Sequence, residues 1–232
     1  MNQKLIWAHF QVEGLQSFDG SIPRLTFLVN QALKISKKSH LSEPKVLNIG
    51  VGNGWLENQC VKQRWKTYAL DPCEKAIERL ESNQITGKVG LIEAITYQDN
   101  FFDVVFCSEV IEHLSEEQFK LGLQEINRIL VQGGCLIGTV PFQENLADSE
   151  VVCPDCGHIF HKWGHQQSFD IPTLAKIFHS GMKVKKIKVI YFIDWASLNW
   201  KGVLVGFIKK ALSILGVHGK NENLFFIVEK CD

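Results

Sequence analysis

The fold of this chain follows from the stretch Val46-Leu47-Asn48-Ile49-Gly50-Val51-Gly52-Asn53-Gly54-Trp55-Leu56-Glu57. A short apolar run ends in glycines at alternate positions, and an amphipathic pattern follows at once. This order predicts a buried strand, a tight turn and the start of a helix. Glycine in such a turn allows positive φ and lets a ligand lie against bare backbone, and the helix start adds unpaired N–H groups and a partial positive charge. The stretch therefore predicts a cofactor-binding turn.

The composition is that of an ordinary globular protein, with 232 residues of which 45% are hydrophobic and 22% charged. The formal net charge of zero argues against a nucleic-acid partner held by bulk electrostatics. The N-terminal residues lack the pattern of a secretory signal, which favours a cytoplasmic protein. Four cysteines fall singly in predicted strands or helices, as reduced, small hydrophobic residues do: Cys60, Cys73, Cys107 and Cys135.

Strands and helices alternate from Lys45 onward. The predicted strands are Lys45–Ile49, Lys66–Leu70, Val89–Ile92, Asp103–Cys107, Cys135–Val140, Lys183–Phe192 and Asn223–Lys230. The predicted helices are Arg24–Lys37, Trp55–Arg64, Cys73–Ser82, Ser115–Leu130 and Asp170–Ser180. Repeated β-α units predict a parallel sheet with helices on both faces. The fold class is therefore α/β, a doubly wound, seven-stranded and mostly parallel sheet with an antiparallel C-terminal strand.

A single domain over residues 1–232 is predicted to carry three additions. Residues 1–43 form an N-terminal cap segment, in which residues 1–22 are expected to be irregular. Residues 142–168 form a loop rich in cysteine and histidine, and residues 194–221 form an amphipathic insert between the last two strands.

The glycine spacing narrows the range of cofactors that the turn could bind. Gly50, Gly52 and Gly54 read G-x-G-x-G, whereas the dinucleotide fingerprint needs glycine where Trp55 stands, which argues against a nicotinamide oxidoreductase. An acid about 20 residues beyond the first glycine can bind ribose hydroxyls, and Asp71 stands there. Glu93, after the third predicted strand, offers a carboxylate to an exocyclic amine. Together they indicate a nucleoside cofactor without a pyrophosphate.

The segments VLNIGVGNG, YALDP, IEA, FDVVFCSEVIEHL and EINRILVQGGCLIGTVP, in this order across residues 46–141, resemble class I S-adenosylmethionine-dependent methyltransferases of the type 11 group. The resemblance implies that fold, S-adenosylmethionine as cofactor, and a set of cofactor-binding residues. Asn48 departs from the family, which usually has an acid there; its carbonyl can accept a hydrogen bond but carries no charge. The implied cofactor-binding residues are Asn48, Gly50, Gly52, Asn53, Asp71, Pro72, Glu93, Ala94 and Ser108.

The loop of residues 142–168 contains a C-x2-C pair followed by histidines. This spacing is close to that of structural zinc sites and predicts zinc bound by Cys153, Cys156, His161 and His165. The alternative is a pair of reduced cysteines, with the histidines facing substrate or packing. The stretch also resembles methyltransferases found with glycan and cell-surface saccharide genes, which implies a sugar, nucleotide-sugar or lipid-linked glycan acceptor.

Glu109, Glu112 and His113 form an E-x-x-E-H motif expected at a helix start, with the three side chains on one face. The motif resembles that of metal-assisted O-methyltransferases acting on quinone precursors or RNA 3′-terminal ribose. That likeness implies a divalent ion such as magnesium, with His165 as a further ligand. The alternative is a metal-free wall of the cleft. For an O-methyltransferase, His113 is the first candidate base, with His161 and His165 behind it, and Glu109 is a further catalytic candidate.

The insert of residues 194–221 combines tryptophans, an apolar helical face and lysines. This pattern predicts peripheral contact with the inner face of a membrane or with a lipid-linked acceptor. A lid or a homodimer contact is the alternative. A non-catalytic nucleotide-binding module remains a further alternative for the whole chain, because Asn48 removes one charged cofactor contact.

Overall fold

The computed structural model describes residues 3–12, 15–80, 84–178 and 182–231. The strands are β1 Lys45–Ile49, β2 Lys66–Asp71, β3 Ile85–Val89, β4 Phe102–Ser108, β5 Leu130–Pro141, β6 Glu150–Val152, β7 Ile159–His161, β8 Met182–Ile190 and β9 Asn223–Lys230. The α-helices are α1 Gln3–Val12, α2 Ile22–Lys38, α3 Trp55–Lys62, α4 Glu74–Glu78, α5 Glu116–Ile129, α6 Ile171–Phe178 and α7 Trp200–Ile214. Short 3₁₀ turns span Leu15–Ser21, Ile92–Ala94, Ile111–His113, Leu146–Ser149 and Trp195–Ser197.

The main sheet has seven strands in the order β3-β2-β1-β4-β5-β9-β8. β9 pairs antiparallel with both β5 and β8, while the other neighbouring pairs are parallel. The predicted doubly wound sheet with an antiparallel C-terminal strand is therefore confirmed. The central strands are buried on both faces, which explains why β4 is almost wholly apolar.

Helix α5 shows how local sequence fixes an element. The Ser115 hydroxyl accepts a hydrogen bond from the Gln118 backbone N–H at 3.2 Å, and the Gln118 side chain accepts one from Ser115 N–H at 3.1 Å. This reciprocal capping box satisfies two otherwise unpaired helix donors. The predicted start of this helix at Ser115 is confirmed.

Three local predictions were wrong. The third strand is Ile85–Val89 rather than Val89–Ile92, because an edge strand needs apolar residues on one face only and need not be an apolar run. Residues expected to be irregular before Ile22 include helix α1 and a 3₁₀ turn, held by packing over the cleft. The Cys/His-rich loop contains the antiparallel β6–β7 hairpin. Ser82 and Ser180, the predicted ends of two helices, lie outside the described residues.

Candidate functional site

A cavity of about 450 Å³ opens at the carboxyl ends of β1, β2 and β4. This edge of a doubly wound sheet is where such folds bind ligands. Its floor is the glycine turn after β1, and helix α1 covers it through Trp7, Phe10 and Gln11. The cavity is large enough for a nucleoside-sized cofactor together with part of a second small molecule.

The glycine turn requires glycine for two separate reasons. Gly50 has φ +85, and a Cβ placed there would lie only 2.6 Å from Val110 Cγ2. Gly52 has φ +57, and its Cβ would lie 3.2 Å from the Phe18 ring. Positive φ strains any residue with a Cβ, and the added atom would also enter the cavity wall. Both predicted glycines therefore line the cavity as bare backbone.

Asp71 lies at the end of β2 and joins three parts of the cleft. Its carboxylate accepts hydrogen bonds from the Val51 N–H at 2.8 Å, from the Cys73 N–H at 2.8 Å and from the Gln11 amide at 3.4 Å. Burial raises the pKa of Asp71, against the effect of these backbone hydrogen bonds and of Arg79. Asp71, the acid predicted to bind ribose, is thus hydrogen-bonded both to the glycine turn and to helix α1.

Arg79 ties helix α1 to the glycine turn. Its guanidinium donates to the Gln11 backbone carbonyl at 2.6 Å, to the Gln11 side-chain oxygen at 2.9 Å and to the Gly52 carbonyl at 2.9 Å. The planar fork of arginine can serve these acceptors together, as a lysine could not. Sequence reasoning missed Arg79 and Gln11, because nothing local marks residues that meet across the cleft.

Asn48 is connected to a carboxyl group that the sequence did not single out. Its amide donates to Glu57 Oε1 at 2.7 Å and to the Gly50 carbonyl at 3.1 Å, which leaves the Asn48 carbonyl free to accept. Glu57 is fully buried, and burial raises its pKa to about 7. A carboxyl group therefore stands directly behind the position where the family usually has an acid.

The other predicted cofactor residues are distributed around the same cavity. Asn53, Pro72, Glu93 and Ser108 line it, whereas Ala94 follows Glu93 in a 3₁₀ turn and is not among the described lining residues. Glu93 accepts a hydrogen bond from the Gln118 amide at 3.0 Å. The structure thus brings most of the predicted set to one cleft, at or just after the carboxyl ends of the four strands β1 to β4.

Glu144 lies between two histidines, of which His165 lines the cavity. His165 Nδ1 is 2.5 Å from Glu144 Oε2, and His161 Nε2 is 3.4 Å from Glu144 Oε1. The two imidazoles stack with centroids 4.6 Å apart. Burial alone would raise the pKa of Glu144, but the hydrogen bond and charge of His165, together with His161, hold that pKa below its usual value.

The backbone assigns the proton positions in this cluster. His161 Nδ1 accepts hydrogen bonds from the N–H groups of Trp163 at 3.3 Å and His165 at 3.1 Å, so the proton of neutral His161 is on Nε2, facing Glu144. Burial and His165 lower the pKa of His161, which keeps it neutral. The carboxylate then accepts the Nδ1–H of His165, so in neutral His165 the lone pair is on Nε2; His165 also lines the cavity.

Gln166 and Gln167 explain how His165 reaches this position. Their backbone N–H groups donate to the Glu112 carbonyl at 2.8 and 3.2 Å. Their side-chain amides donate to the carbonyls of His113 and Leu114, each at 2.6 Å. The loop is therefore attached to the turn after β4 by four hydrogen bonds. This attachment brings the His113 and His165 rings to a centroid distance of 4.7 Å.

Glu112 and His113 occupy a 3₁₀ turn rather than the predicted helix start, and Glu109 does not share their face. Glu109 has φ +55; it accepts a hydrogen bond from Asn223 at 3.0 Å and lies 3.8 Å from the Arg24 guanidinium. The expectation of three side chains on one helical face was wrong, because the chain turns sharply after β4.

Glu112 and His113 present unpaired polar atoms inside the protein. Both Glu112 carboxyl oxygens and His113 Nδ1 are buried without a hydrogen-bond partner among the described residues. Burial, followed by the charge of Glu109, raises the pKa of Glu112 well above normal. Burial and then His165 lower the pKa of His113 to about 3, which makes it a weak base at neutral pH. Buried polar atoms without partners are rare and indicate a missing ligand or a retained proton.

The four residues predicted to bind zinc are not brought together. Cys153 and Cys156 belong to the turn of the β6–β7 hairpin, where Cys156 is exposed, while His161 is buried beside Glu144. Two groups in the described part of the chain could hold a cation, and neither includes a cysteine. They are Glu112, His113 and His165, and Glu144, His161 and His165. Backbone bonds to His161 Nδ1 leave its Nε2 protonated, which argues against the second group.

Comparisons with known proteins agree with this geometry. Residues 47–138 match a family model described as a methyltransferase domain. Among curated proteins, the ubiquinone biosynthesis O-methyltransferase of Rickettsia akari is 27% identical over 123 residues, covering 50% of this chain and 48% of that protein. An uncharacterised protein of Methanocaldococcus jannaschii is 26% identical over 202 residues, covering 85% of this chain and 83% of that protein. The chain thus spans about half the length of the Rickettsia relative.

Solved structures share the fold at low sequence identity. A chain in the complex between the Haloferax volcanii Trm112 methyltransferase activator and the putative methyltransferase aligns with a TM-score of 0.68 at 15% identity, covering 97% of this chain and 98% of that one. The N-methyltransferase NodS from Bradyrhizobium japonicum WM9, in complex with S-adenosyl-l-homocysteine, aligns with a TM-score of 0.63 at 15% identity, covering 99% and 97%. The domain match, the strand order and the glycine turn agree: residues 47–138 are similar to a methyltransferase domain, and the chain shares its fold with these solved methyltransferases.

Proposed function

We propose that this protein is an S-adenosylmethionine-dependent O-methyltransferase acting on a hydroxyl group of a small molecule, with His165 as the general base. The hydrogen bond between Glu144 and His165 at the cavity carries this proposal. A carboxylate on Nδ1 fixes the tautomer in which Nε2 can accept a proton. Nε2 of neutral His165 is therefore better suited to this role than His113, the first candidate from sequence.

The residues present fit S-adenosylmethionine. The glycine turn offers a backbone surface that a Cβ would fill, and the buried Asp71 and the half-buried Glu93 can accept hydrogen bonds from hydroxyl and amine groups. Bound there, the cofactor supplies an electrophilic methyl group on sulfonium. The Asn48 carbonyl, with the Glu57 carboxyl behind it, would hold the ammonium end.

In the proposed mechanism, His165 Nε2 would take the proton from the acceptor hydroxyl, which would make the hydroxyl oxygen a better nucleophile. Glu144 stabilises the resulting imidazolium and keeps the ring in its orientation, while His161 positions Glu144. Helix α1 and Trp163 exclude water from the cavity. Alignment and proton removal are the main requirements for this displacement.

Aromatic side chains surround the acceptor end of the cavity. The Trp7 ring is 5.9 Å from the His113 ring, and the Phe10 and Trp163 rings are 5.0 Å apart. Flat apolar walls beside polar groups suit ring-shaped acceptors that carry hydroxyls. A sugar, nucleotide-sugar or lipid-linked glycan fits this description and is the acceptor class that we propose first.

A second candidate is a metal-assisted O-methyltransferase of an aromatic quinone precursor. The unpaired atoms of Glu112 and His113, within reach of His165, support it, as does the name of the Rickettsia relative. Glu112, His113 and His165 would hold the cation, which would acidify a bound hydroxyl. Two imidazoles and one carboxylate favour zinc or another transition metal over magnesium.

Transfer of labelled methyl groups from S-adenosylmethionine to a panel of sugars, nucleotide-sugars, catechols and amines tests both candidates. Sugar methylation that survives chelation with EDTA supports the first. Catechol methylation that chelation abolishes and zinc restores, with bound metal lost in Glu112→Gln, supports the second. Methylation of amines alone, or failure to bind S-adenosylhomocysteine in calorimetry, would refute the O-methyltransferase proposal.

A further inference from the structure

Helix α7 presents an unusually exposed apolar surface. Trp200 is 74% exposed, Phe207 60%, Ile214 78% and Leu215 77%. Leu204, Val205, Ile208 and Leu212 are exposed as well, and Gly206 is its buried position. Folded domains rarely leave this much contiguous apolar surface in water without a binding role.

The helix rests on the protein through its glycines. A Cβ at Gly206 would lie 3.1 Å from the Trp195 ring, and one at Gly202 would lie 3.1 Å from Leu198. Both glycines therefore allow a close approach between α7 and the preceding segment. Because the small residues face the protein, the large apolar residues face outward.

The shape of the apolar surface distinguishes between occupants. At 100° per residue, the exposed apolar residues of α7 cover an arc of about 180°, from Ile214 through Trp200 to Val205. A single partner helix, as in a dimer contact, needs a narrower seam. A lipid bilayer, by contrast, contacts about half of the circumference of a helix that lies in its surface.

The charges fit a negatively charged surface. Residues 195–221 contain four lysines and no aspartate or glutamate. Lys209 and Lys210 follow the centre of α7 and border the apolar arc on opposite sides, where long side chains can extend to headgroups. Lys209 and Lys201 lie over the rings of Tyr191 and Trp200, at 5.5 and 5.6 Å. None of the described helices has the length and apolarity needed to cross a bilayer.

The insert leaves the sheet at the same edge as the cleft. β8 ends and β9 begins beside the carboxyl end of β5, where Pro141 pairs with Asn223. Asn223 donates to Glu109 in the cleft, and the Phe142 ring is 5.0 Å from the His218 ring. A surface that binds α7 would therefore lie on the side of the molecule where the cavity is found.

We infer that α7 is a membrane-docking helix, which lies in the surface of a bilayer that contains anionic phospholipids. Its apolar arc enters the boundary between headgroups and acyl chains, and its lysines contact the phosphates. The inference is independent of the acceptor proposed above, and it explains why the apolar side of this helix is directed away from the protein.

Sedimentation with vesicles of phosphatidylcholine and phosphatidylglycerol tests the inference. Wild-type protein is expected to bind. Phe207→Glu is expected to lower the partition coefficient by at least about tenfold, since it removes one aromatic side chain that would be buried in the bilayer. Lys209→Gln with Lys210→Gln is expected to lower it roughly 30-fold. Leu121→Glu, which alters an exposed apolar residue of α5, is the matched control and is expected to bind as wild type does.

Four further outcomes test the membrane-docking inference. Weak binding to phosphatidylcholine alone, and a blue shift of Trp200 fluorescence that Trp200→Phe removes, would support the inference. Absence of vesicle binding would overturn it, as would a dimer in sedimentation velocity that Phe207→Glu dissociates while vesicles bind neither protein. Calorimetry with S-adenosylhomocysteine on each variant separates loss of docking from loss of the fold.

Discussion

Replacing Glu144 with glutamine should reverse the proton assignment of His165. The backbone bonds to His161 Nδ1 place a proton on His161 Nε2, which faces position 144 at 3.4 Å. The amide oxygen of glutamine would accept there, so its NH₂ group would face His165 Nδ1. His165 would then have to accept at Nδ1 and carry its proton on Nε2. The lone pair needed for base catalysis would be lost while the shape of the site is kept.

The size of the effect follows from the role of a general base. A positioned base contributes about 10²- to 10⁴-fold to rate, or about 3 to 5 kcal/mol of transition-state stabilisation. We expect kcat to fall by this factor in Glu144→Gln, with little change in S-adenosylhomocysteine affinity. Turnover is measured with labelled cofactor and the acceptor found by screening. Glu150→Gln, an exposed carboxylate of the same loop, is the control.

The tautomer can be measured without an acceptor. Imidazole ¹⁵N chemical shifts distinguish a protonated from an unprotonated nitrogen, so the Nδ1 and Nε2 signals of His165 should exchange character in Glu144→Gln. A kcat within threefold of wild type, or unchanged His165 shifts, would refute the assignment of His165 as base and Glu144 as its positioning residue.

Three further outcomes are expected. Glu57→Gln should reduce the pH dependence of stability. Between pH 4.5 and about 7 the folded wild type keeps a proton on Glu57 that the unfolded chain releases, so this group should lower the free energy of unfolding by about 3 kcal/mol as pH rises. Urea titrations at several pH values should show a fall that is smaller by about this amount in Glu57→Gln. Gly50→Ala should cost about 1 to 3 kcal/mol through positive φ and contact with Val110, and should abolish cofactor binding in calorimetry; tight binding would contradict the assigned turn. Arg79→Lys should weaken S-adenosylhomocysteine binding about tenfold, because the guanidinium hydrogen bonds that join α1 to the Gly52 carbonyl are lost. Unchanged affinity would show that α1 does not cover the cofactor.

Local patterns in the chain were enough to specify the sheet and the cofactor end of the site. Apolar strands, glycine spacing and the acid at the end of β2 are patterns of this kind, and each has one physical interpretation. Gly50 and Asp71 could therefore be placed at the strand-end cavity from the amino-acid sequence, since a residue at a strand end in this fold has a known place relative to its neighbours.

The part of the site that holds the proposed base depended on tertiary structure. Glu144 carries no local signal, because its partners His161 and His165 reach it only after residues 166 and 167 attach the loop to the turn after β4. Spacing paired the histidines with Cys153 and Cys156, but the β6–β7 hairpin carries the cysteines away from them. The number of residues between two side chains predicts the distance between them only when both belong to the same helix or strand. Where a loop folds back, hydrogen bonds to distant backbone determine which side chains meet.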